Sequence, residues 1–244
     1  MQAPSAALLL DVWERGLASP PVQRALALAR TAYPEATADQ VADLSIGRRD
    51  ALLIELRHVL FGPVLRMVAA CPRCGIQVES TFQTREIQTG ATCDSREQTM
   101  DVDGLHLAFR VPTSRDLLAL DVNADPRAGL SALLARSVVA AHDARGGAVP
   151  AHEIPEAMVE RLAAAMAEAD PQADVQLLLA CPACEQGWQA TFDVADFLWR
   201  EVNAWAQRTL RDVASLAAAY GWREPDILAL SPTRRRIYLE LSGR

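Results

Sequence analysis

The sequence predicts a mostly helical α+β fold that contains a split zinc ribbon. Two tetrapeptides carry this prediction, Cys71-Pro72-Arg73-Cys74 and Cys181-Pro182-Ala183-Cys184. Each follows an apolar run and precedes residues whose apolar side chains alternate with the period of a strand. Segments with a helical repeat lie before, between and after the two tetrapeptides. We therefore expect two hairpins with metal-binding turns, a helical N-terminal segment, a helical insertion and a long C-terminal helix.

The spacing of the cysteines indicates a structural metal site. A Cys-x-x-Cys places two sulfurs on one side of a tight turn, and two such turns supply the four thiolates of a closed tetrahedral zinc site. We predict that Cys71, Cys74, Cys181 and Cys184 bind one Zn²⁺ ion. The long insertion between the two pairs must then return the chain to the metal. A homodimer that pairs such turns across two subunits is also compatible with the sequence.

Two other interpretations of the cysteine pairs stay open. In a glutaredoxin-like redox site the first cysteine begins a helix, whose N-terminus lowers the thiol pKa. Residues 76–82 and 188–192 instead alternate like strands, and a redox dithiol needs one pair where a metal cage needs two. The pattern therefore favours zinc over a dithiol oxidoreductase or two pairs without metal.

Composition limits the class of protein. The chain has 244 residues, 50% of them hydrophobic, which is enough for a substantial core. A formal net charge of −7 argues against general binding to nucleic acid. Metal-type spacing of four of the five cysteines suits a reducing cytoplasm, and Cys93 is predicted to be a free thiol without a role. We expect a cytoplasmic protein that makes no membrane contact, because neither a targeting signal nor a long apolar run is evident.

The N-terminal segment, residues 1–63, is predicted to be helical. Ser45 is placed to cap one of its helices, which Phe61-Gly62-Pro63 ends. Trp13 is a candidate anchor for a partner, although such a tryptophan more often belongs to the core. The predicted helices cover residues 6–17, 21–32 and 47–60, with a short helix or turn within 36–44.

Residues 64–82 and 175–193 are predicted to form the split zinc-ribbon core, and residues 83–174 a mainly helical insertion. In the insertion, alternation predicts a strand over 105–111, and Thr113 or Ser114 is placed to cap a short helix. Two longer helices are predicted over about 127–141 and 154–169.

The C-terminal segment, residues 194–244, begins with a predicted helix over 194–220 that Gly221 ends. Ser231-Pro232 begins a last helix. Three arginines crowd its first turns, where the helix dipole disfavours cations, which suggests either an acidic partner or a solvated, internally paired face. The candidate partner-binding residues are Trp13, Trp205, Tyr220, Arg234 and Arg235.

Catalytic motifs are not evident in the sequence, and its four histidines are scattered. A closed metal site flanked by helices is more typical of a structural protein than of an enzyme. A nucleic-acid-associated regulatory protein with a zinc ribbon is the main alternative, suggested by the cysteine pairs and by Arg234, Arg235 and Arg236.

Several short pieces of sequence occur together in one order. They are Trp13-Glu14-Arg15, Arg24-Ala25-Leu26, residues 44–50, the Cys-Pro-x-Cys-Gly of residues 71–75, and Tyr220-Gly221-Trp222. With this series the chain resembles the baseplate hub assembly chaperone group of T-even-type contractile phages and its relatives in phage-derived contractile injection systems. The resemblance implies a non-enzymatic role in assembling or forming the baseplate, by binding to hub or spike-tube proteins.

Overall fold

The computed structural model describes residues 2–90, 97–120 and 125–243, so Cys93 lies outside the described residues. Helices make up most of the regular structure, as predicted. The helices are α1 (Ala6–Gly16), α2 (Pro21–Ala32), α3 (Ala38–Ala42), α4 (Ile46–Phe61), α5 (Thr84–Ile87), α6 (Ser114–Leu118), α7 (Pro126–Ser137), α8 (Glu156–Ala169), α9 (Val194–Tyr220), α10 (Glu224–Ala229) and α11 (Pro232–Leu241). The strands are β1 (Val64–Ala70), β2 (Gln77–Gln83), β3 (Gln98–Val102), β4 (Leu105–Phe109), β5 (Val138–His142), β6 (Gln176–Ala180) and β7 (Gly187–Thr191).

The helix ends agree with the capping signals in the sequence. The side-chain oxygen of Ser45 accepts a hydrogen bond from the Arg48 N–H and begins α4, and Ser231 does the same for Arg234 at the start of α11. Gly221 ends α9 with a left-handed backbone, φ 69°. A side chain at that position would be strained, which explains why a glycine ends the long helix.

The main core lies among α1, α2, α4 and α9. Leu28, Leu53, Leu56 and Leu198 are fully buried there. Leu65 of β1 belongs to the same cluster. Burial of this apolar surface is the main favourable contribution to the free energy of folding.

Both metal-type hairpins attach to this core. The strands β1 and β2 form one antiparallel pair, and β6 and β7 form another. Phe82 at the end of β2 and Phe192 after β7 meet edge to face, with ring centroids 5.3 Å apart. Phe192 also contacts Phe197 of α9 at a centroid distance of 5.0 Å. The bases of the hairpins are therefore held together by aromatic contacts, at the end remote from the cysteine turns.

A buried ion pair joins α4 to α9. The Arg57 guanidinium donates two hydrogen bonds of 2.8 Å to the carboxylate of Glu201. Its third nitrogen donates to the Gly62 carbonyl, at the end of α4. Bidentate pairing satisfies both charges and fixes how the two helices meet.

The insertion between the hairpins contains a sheet as well as helices. Its strands lie in the order β3-β4-β5, all antiparallel, and Phe109, Leu134, Leu162 and Met166 form its own core cluster. The predicted helix over 127–141 is wrong at its end, because residues 138–142 pair with β4 as β5. Val138 and Val139 favour a strand, but only the neighbouring strand reveals that they form one. The predicted strand over 105–111 is confirmed as β4, whereas β3 lies in a part of the insertion for which no strand was predicted. The four-part division of the chain stays a prediction.

Polar contacts attach the insertion to the helices of the main core. The Asp170 carboxylate accepts a 2.8 Å hydrogen bond from the Gly47 N–H at the start of α4. Thr113 forms an isolated bridge with Ser45, and the Ile46 N–H donates to the Pro112 carbonyl. The start of α4 is therefore the place where the insertion is anchored.

Asp116 holds the first part of the insertion in place. Its carboxylate accepts hydrogen bonds of 2.6 and 2.8 Å from Arg110 and further hydrogen bonds from Thr113 and Arg136. Burial raises the pKa of this carboxyl, but Arg110 and Thr113 outweigh that effect and hold the pKa well below its usual range. Asp116 thus stays ionised and links β4, α6 and α7.

We predict that Gly47→Ala destabilises the protein by about 3 kcal/mol. The new Cβ would lie 2.0 Å from the Asp170 carboxylate and would push that carboxylate away from the Gly47 N–H at the start of α4. Gly129→Ala in α7 is the matched control, since nothing lies within 4 Å of its Cβ and alanine is the better helix former. Urea unfolding of both variants makes the comparison. Equal stability of the two variants would contradict the role of Asp170.

Candidate metal centre

The first cysteine pair lies in the turn between β1 and β2. The last strand pair is Ala70 with Gln77, so the turn contains both cysteines. The Cys71 N–H donates to the Ile76 carbonyl, and the Gly75 N–H donates to the Cys71 carbonyl, each at 2.9 Å. These bonds hold the two side chains on one side of the turn.

The second pair lies in a turn of the same design between β6 and β7. There the Cys181 N–H donates to the Gln186 carbonyl, and the Glu185 N–H donates to the Cys181 carbonyl, each at 2.9 Å. The internal repeat seen in the sequence is therefore a structural repeat of two equivalent hairpin tips. The strands on both sides of each pair are confirmed, the first of each hairpin predicted from an apolar run and the second from alternation.

The two turns differ at the residue after the second cysteine. This residue has a left-handed backbone in both, with φ 75° at Gly75 and φ 57° at Glu185. Glycine adopts this conformation without steric cost, whereas a residue with a Cβ is strained there. The second turn therefore contains a strained residue that the first turn avoids.

The four thiols meet at one point. All four Sγ atoms lie within 4.8 Å of one another. Cys71 is 3.7 Å from Cys184, and Cys74 is 3.6 Å from Cys181, measured between Sγ atoms. Metal–sulfur bonds of about 2.3 Å in a tetrahedron place the sulfurs about 3.8 Å apart. The cluster thus has the dimensions of a four-thiolate metal cage.

The surroundings make the site closed on one side. Cys71 and Cys181 are each 2% exposed, and Val78 and Trp188 pack against the cluster. Cys74 is exposed and Cys184 is half-buried, so a metal ion can enter from their side. In the described residues the cluster holds cysteines alone, with no histidine or carboxylate ligand. Such a donor set suits a soft or borderline metal such as zinc.

The thiols differ in how readily they ionise. Burial raises the pKa of Cys71, but N–H groups of Cys74 and Arg73 and the neighbouring thiols outweigh it and lower the pKa to about 7. For Cys184 the Gln186 N–H acts to lower the pKa, yet burial and the three other cysteines raise it to about 12. The pKa of Cys74 is raised as well, although the Ile76 N–H opposes that shift. One thiolate therefore forms near neutral pH. Its negative charge opposes ionisation of the neighbouring thiols, and a bound cation would reverse that effect.

The candidate partner-binding residues are not gathered at the metal cluster. The Trp13 indole N–H donates to the Asn203 side chain at 2.9 Å, and its ring packs on the core. Tyr220 stacks on Trp222 with ring centroids 4.7 Å apart, and Arg234 is exposed. The prediction that these side chains bind a partner is untested.

Trp205 and Arg235 line a groove between α9 and α11. We call it the arginine groove, after the residues Arg208, Arg211, Arg235 and Arg236 in its wall. Sequence reasoning missed Arg208 and Arg211. The available signal was their spacing of three residues along α9, which places both arginines on one face of the helix.

A family model described as T4 bacteriophage base plate protein matches residues 28–199. The chain belongs to this family. The resemblance to contractile-phage baseplate proteins that the sequence suggested is thereby confirmed. The match contains both cysteine turns, whereas most of α9 and all of α10 and α11 lie beyond it. Searches of curated proteins and of solved structures each returned no significant match. In the described part of this base plate protein, no helix has both the length and the apolar character needed to cross a membrane.

The strain at Glu185 leads to a prediction. Glu185→Gly should stabilise the protein by up to about 1 kcal/mol, while Gly75→Ala should destabilise it by about the same amount, because the backbone is left-handed at both positions. The alanine at position 75 meets no neighbouring atom, since nothing lies within 4 Å of an added Cβ there. Thermal unfolding of both variants measures the difference, and shifts of equal sign would contradict the interpretation.

Proposed function

We propose that this chain is a non-enzymatic component or assembly factor of the baseplate of a contractile phage-tail-like particle, and that it contains a structural Zn²⁺ ion. Membership of the T4 baseplate family carries the first part. The convergence of Cys71, Cys74, Cys181 and Cys184 carries the second. The hub or spike-tube proteins of the particle are the proposed partners.

The zinc ion would act on the fold and not on a substrate. Isolated two-stranded hairpins are marginally stable in water. A metal held by both hairpin tips would join them at the end opposite to the contact between Phe82 and Phe192. The four thiolates would fill the coordination sphere, which leaves no position for a reacting water. Sulfur contacts of 3.6 and 3.7 Å run between the two pairs, which favours this role over a redox reaction within one pair.

Exposed apolar residues on the hairpins support a role in protein–protein contact. Leu178 of β6 is 83% exposed, and Val68 of β1 and Ile76 beside the first turn are also exposed. Large apolar side chains on short, rigid hairpins are suited to burial against another protein. Zinc would contribute by keeping both hairpins in a fixed orientation for such a contact.

Zinc content tests the metal site. We expect one zinc per chain in protein purified without added metal, and its loss in both Cys71→Ser and Cys181→Ser, because each removes a ligand from the shared cage. Elemental analysis measures the metal, and the melting temperature should fall in both variants. Cys93→Ser is the control and should keep the zinc. Zinc retained in either ligand variant, or missing from the wild type, would refute the shared site.

Deletion of the gene tests the baseplate role. We expect the mutant to lack assembled particles, or to make sheath and tube without a functional baseplate, when lysates are viewed by electron microscopy. Mass spectrometry of wild-type particles then separates the two forms of the proposal, since a structural component stays in the particle and an assembly chaperone leaves it. Normal particles in the deletion mutant would refute both forms.

A further inference from the structure

The arginine groove is a concave surface with a volume of about 970 Å³. Residues near the N-terminus, the end of α4, the middle of α9 and the last two helices line it. Part of its lining is apolar and includes Phe61, Trp205, Leu228 and Leu239. A groove of this composition can bury apolar side chains of a ligand as well as contact its charges.

The charged part of the groove is strongly cationic. Arg208, Arg211, Arg235 and Arg236 line it together with Asp212, and Arg236 also forms an exposed ion pair with Glu240, 3.7 Å apart. The whole chain carries a net charge of −7, so this concentration of arginine is local. Arg211 donates its Nε–H to a backbone carbonyl of its own helix at 3.1 Å. A guanidinium has five N–H donors, so most of them stay available for a ligand.

Arg235 provides a second, independent observation at the groove. The residue is 7% exposed, and its Nε atom is buried without a hydrogen-bond partner. Another of its nitrogens lies 3.5 Å from the Leu230 carbonyl, a long contact. Buried guanidinium groups are normally paired with carboxylates or fully hydrogen-bonded. The structure therefore contains a buried cation with an unused donor in the wall of an open groove.

Asp212 does not pair directly with Arg235. In the described residues, neither a hydrogen bond nor a salt bridge joins the two. Burial raises the pKa of Asp212, and the attraction of Arg235, Arg211 and Arg208 only partly offsets that effect. Asp212 therefore offsets part of the positive charge of the groove but leaves the Arg235 Nε–H without a partner.

We propose that the arginine groove docks an acidic, amphipathic segment of a partner protein in the baseplate. Apolar side chains of the segment pack on Trp205 and Leu239, and a carboxylate pairs with Arg235. The aliphatic part of the lining, which includes Leu228 and Leu239, favours this ligand over a nucleic acid, whose bases stack on aromatic rings and whose backbone supplies charge. The inference rests on the proposed function for the identity of the partner. It also places partner recognition on helices beyond the family match, which ends at residue 199.

A synthetic peptide probes the groove directly. The probe is a fluorescein-labelled helical peptide with leucines on one face and glutamates on the other, and its control has glutamine at every glutamate. Fluorescence anisotropy with the full-length protein should show saturable binding of the glutamate peptide. The glutamine peptide should bind with an affinity lower by about tenfold or more, because charged pairs in a partly desolvated groove contribute to affinity.

Charge-reversal variants assign the binding to the groove. Arg208→Glu with Arg211→Glu changes exposed residues of α9 and should weaken binding of the glutamate peptide about tenfold or more. Arg127→Glu with Arg145→Glu makes the same change of charge on exposed residues of the insertion and should leave binding unchanged. Arg235→Lys keeps the charge but loses the planar fork, and should weaken binding with the fold intact by circular dichroism.

Three results would overturn the proposal. The first is equal binding of the two peptides. The second is tighter binding of a single-stranded DNA oligomer than of the glutamate peptide, lost in the same α9 variant, which would make the groove a phosphate site. The third is self-association of the protein that the α9 variant abolishes, which would make a second copy the occupant. Each leaves the baseplate role standing, because the gene deletion tests that role separately.

Discussion

The meeting of four thiols constrains the rest of the fold. Cys74 and Cys181 are separated by the whole insertion, yet their sulfurs lie 3.6 Å apart. Closing so long a loop costs conformational entropy, which other interactions must offset. The contact between Phe82 and Phe192 and the hydrogen bond from Gly47 to Asp170 contribute to this closure. The insertion therefore begins and ends at one place, and the metal-type cluster lies at the tips of the hairpins that bound it.

The residues that suggested the baseplate resemblance act mainly in the scaffold. Ser45 caps α4, and the Gly47 N–H meets Asp170 where a larger residue does not fit. Arg49 lies buried between Asp50 and Ser114, donating to the first at 2.7 Å. Burial raises the pKa of Asp50 to about 6, although Arg49 acts to lower it. Residues 44–50 thus join α4 to the insertion through polar contacts. This role explains why polar side chains occur there although they are buried.

The family match and the arginine groove cover largely different parts of the chain. The match, residues 28–199, contains α4, the insertion and both cysteine turns, together with the end of α2. The arginine groove is formed largely by α9, α10 and α11 beyond it. The groove concentrates positive charge on a chain whose net charge is −7. A local cationic surface of this kind favours the acidic segment that we propose as its ligand and disfavours contact with other cationic surfaces.

Local signals in the sequence predicted most of the elements and the four cysteines of the candidate metal site. Capping residues such as Ser45 and Gly221 and the alternation beside each cysteine pair predict helix ends and hairpins, because these depend on nearby residues alone. Tertiary structure decided what depends on distant partners. Residues 138–142 form a strand because β4 lies beside them, and Trp13 packs inward because Asn203 accepts its N–H. Arg235 is buried without a partner for its Nε because α9 and α11 meet there, which the spacing of arginines along the chain does not encode.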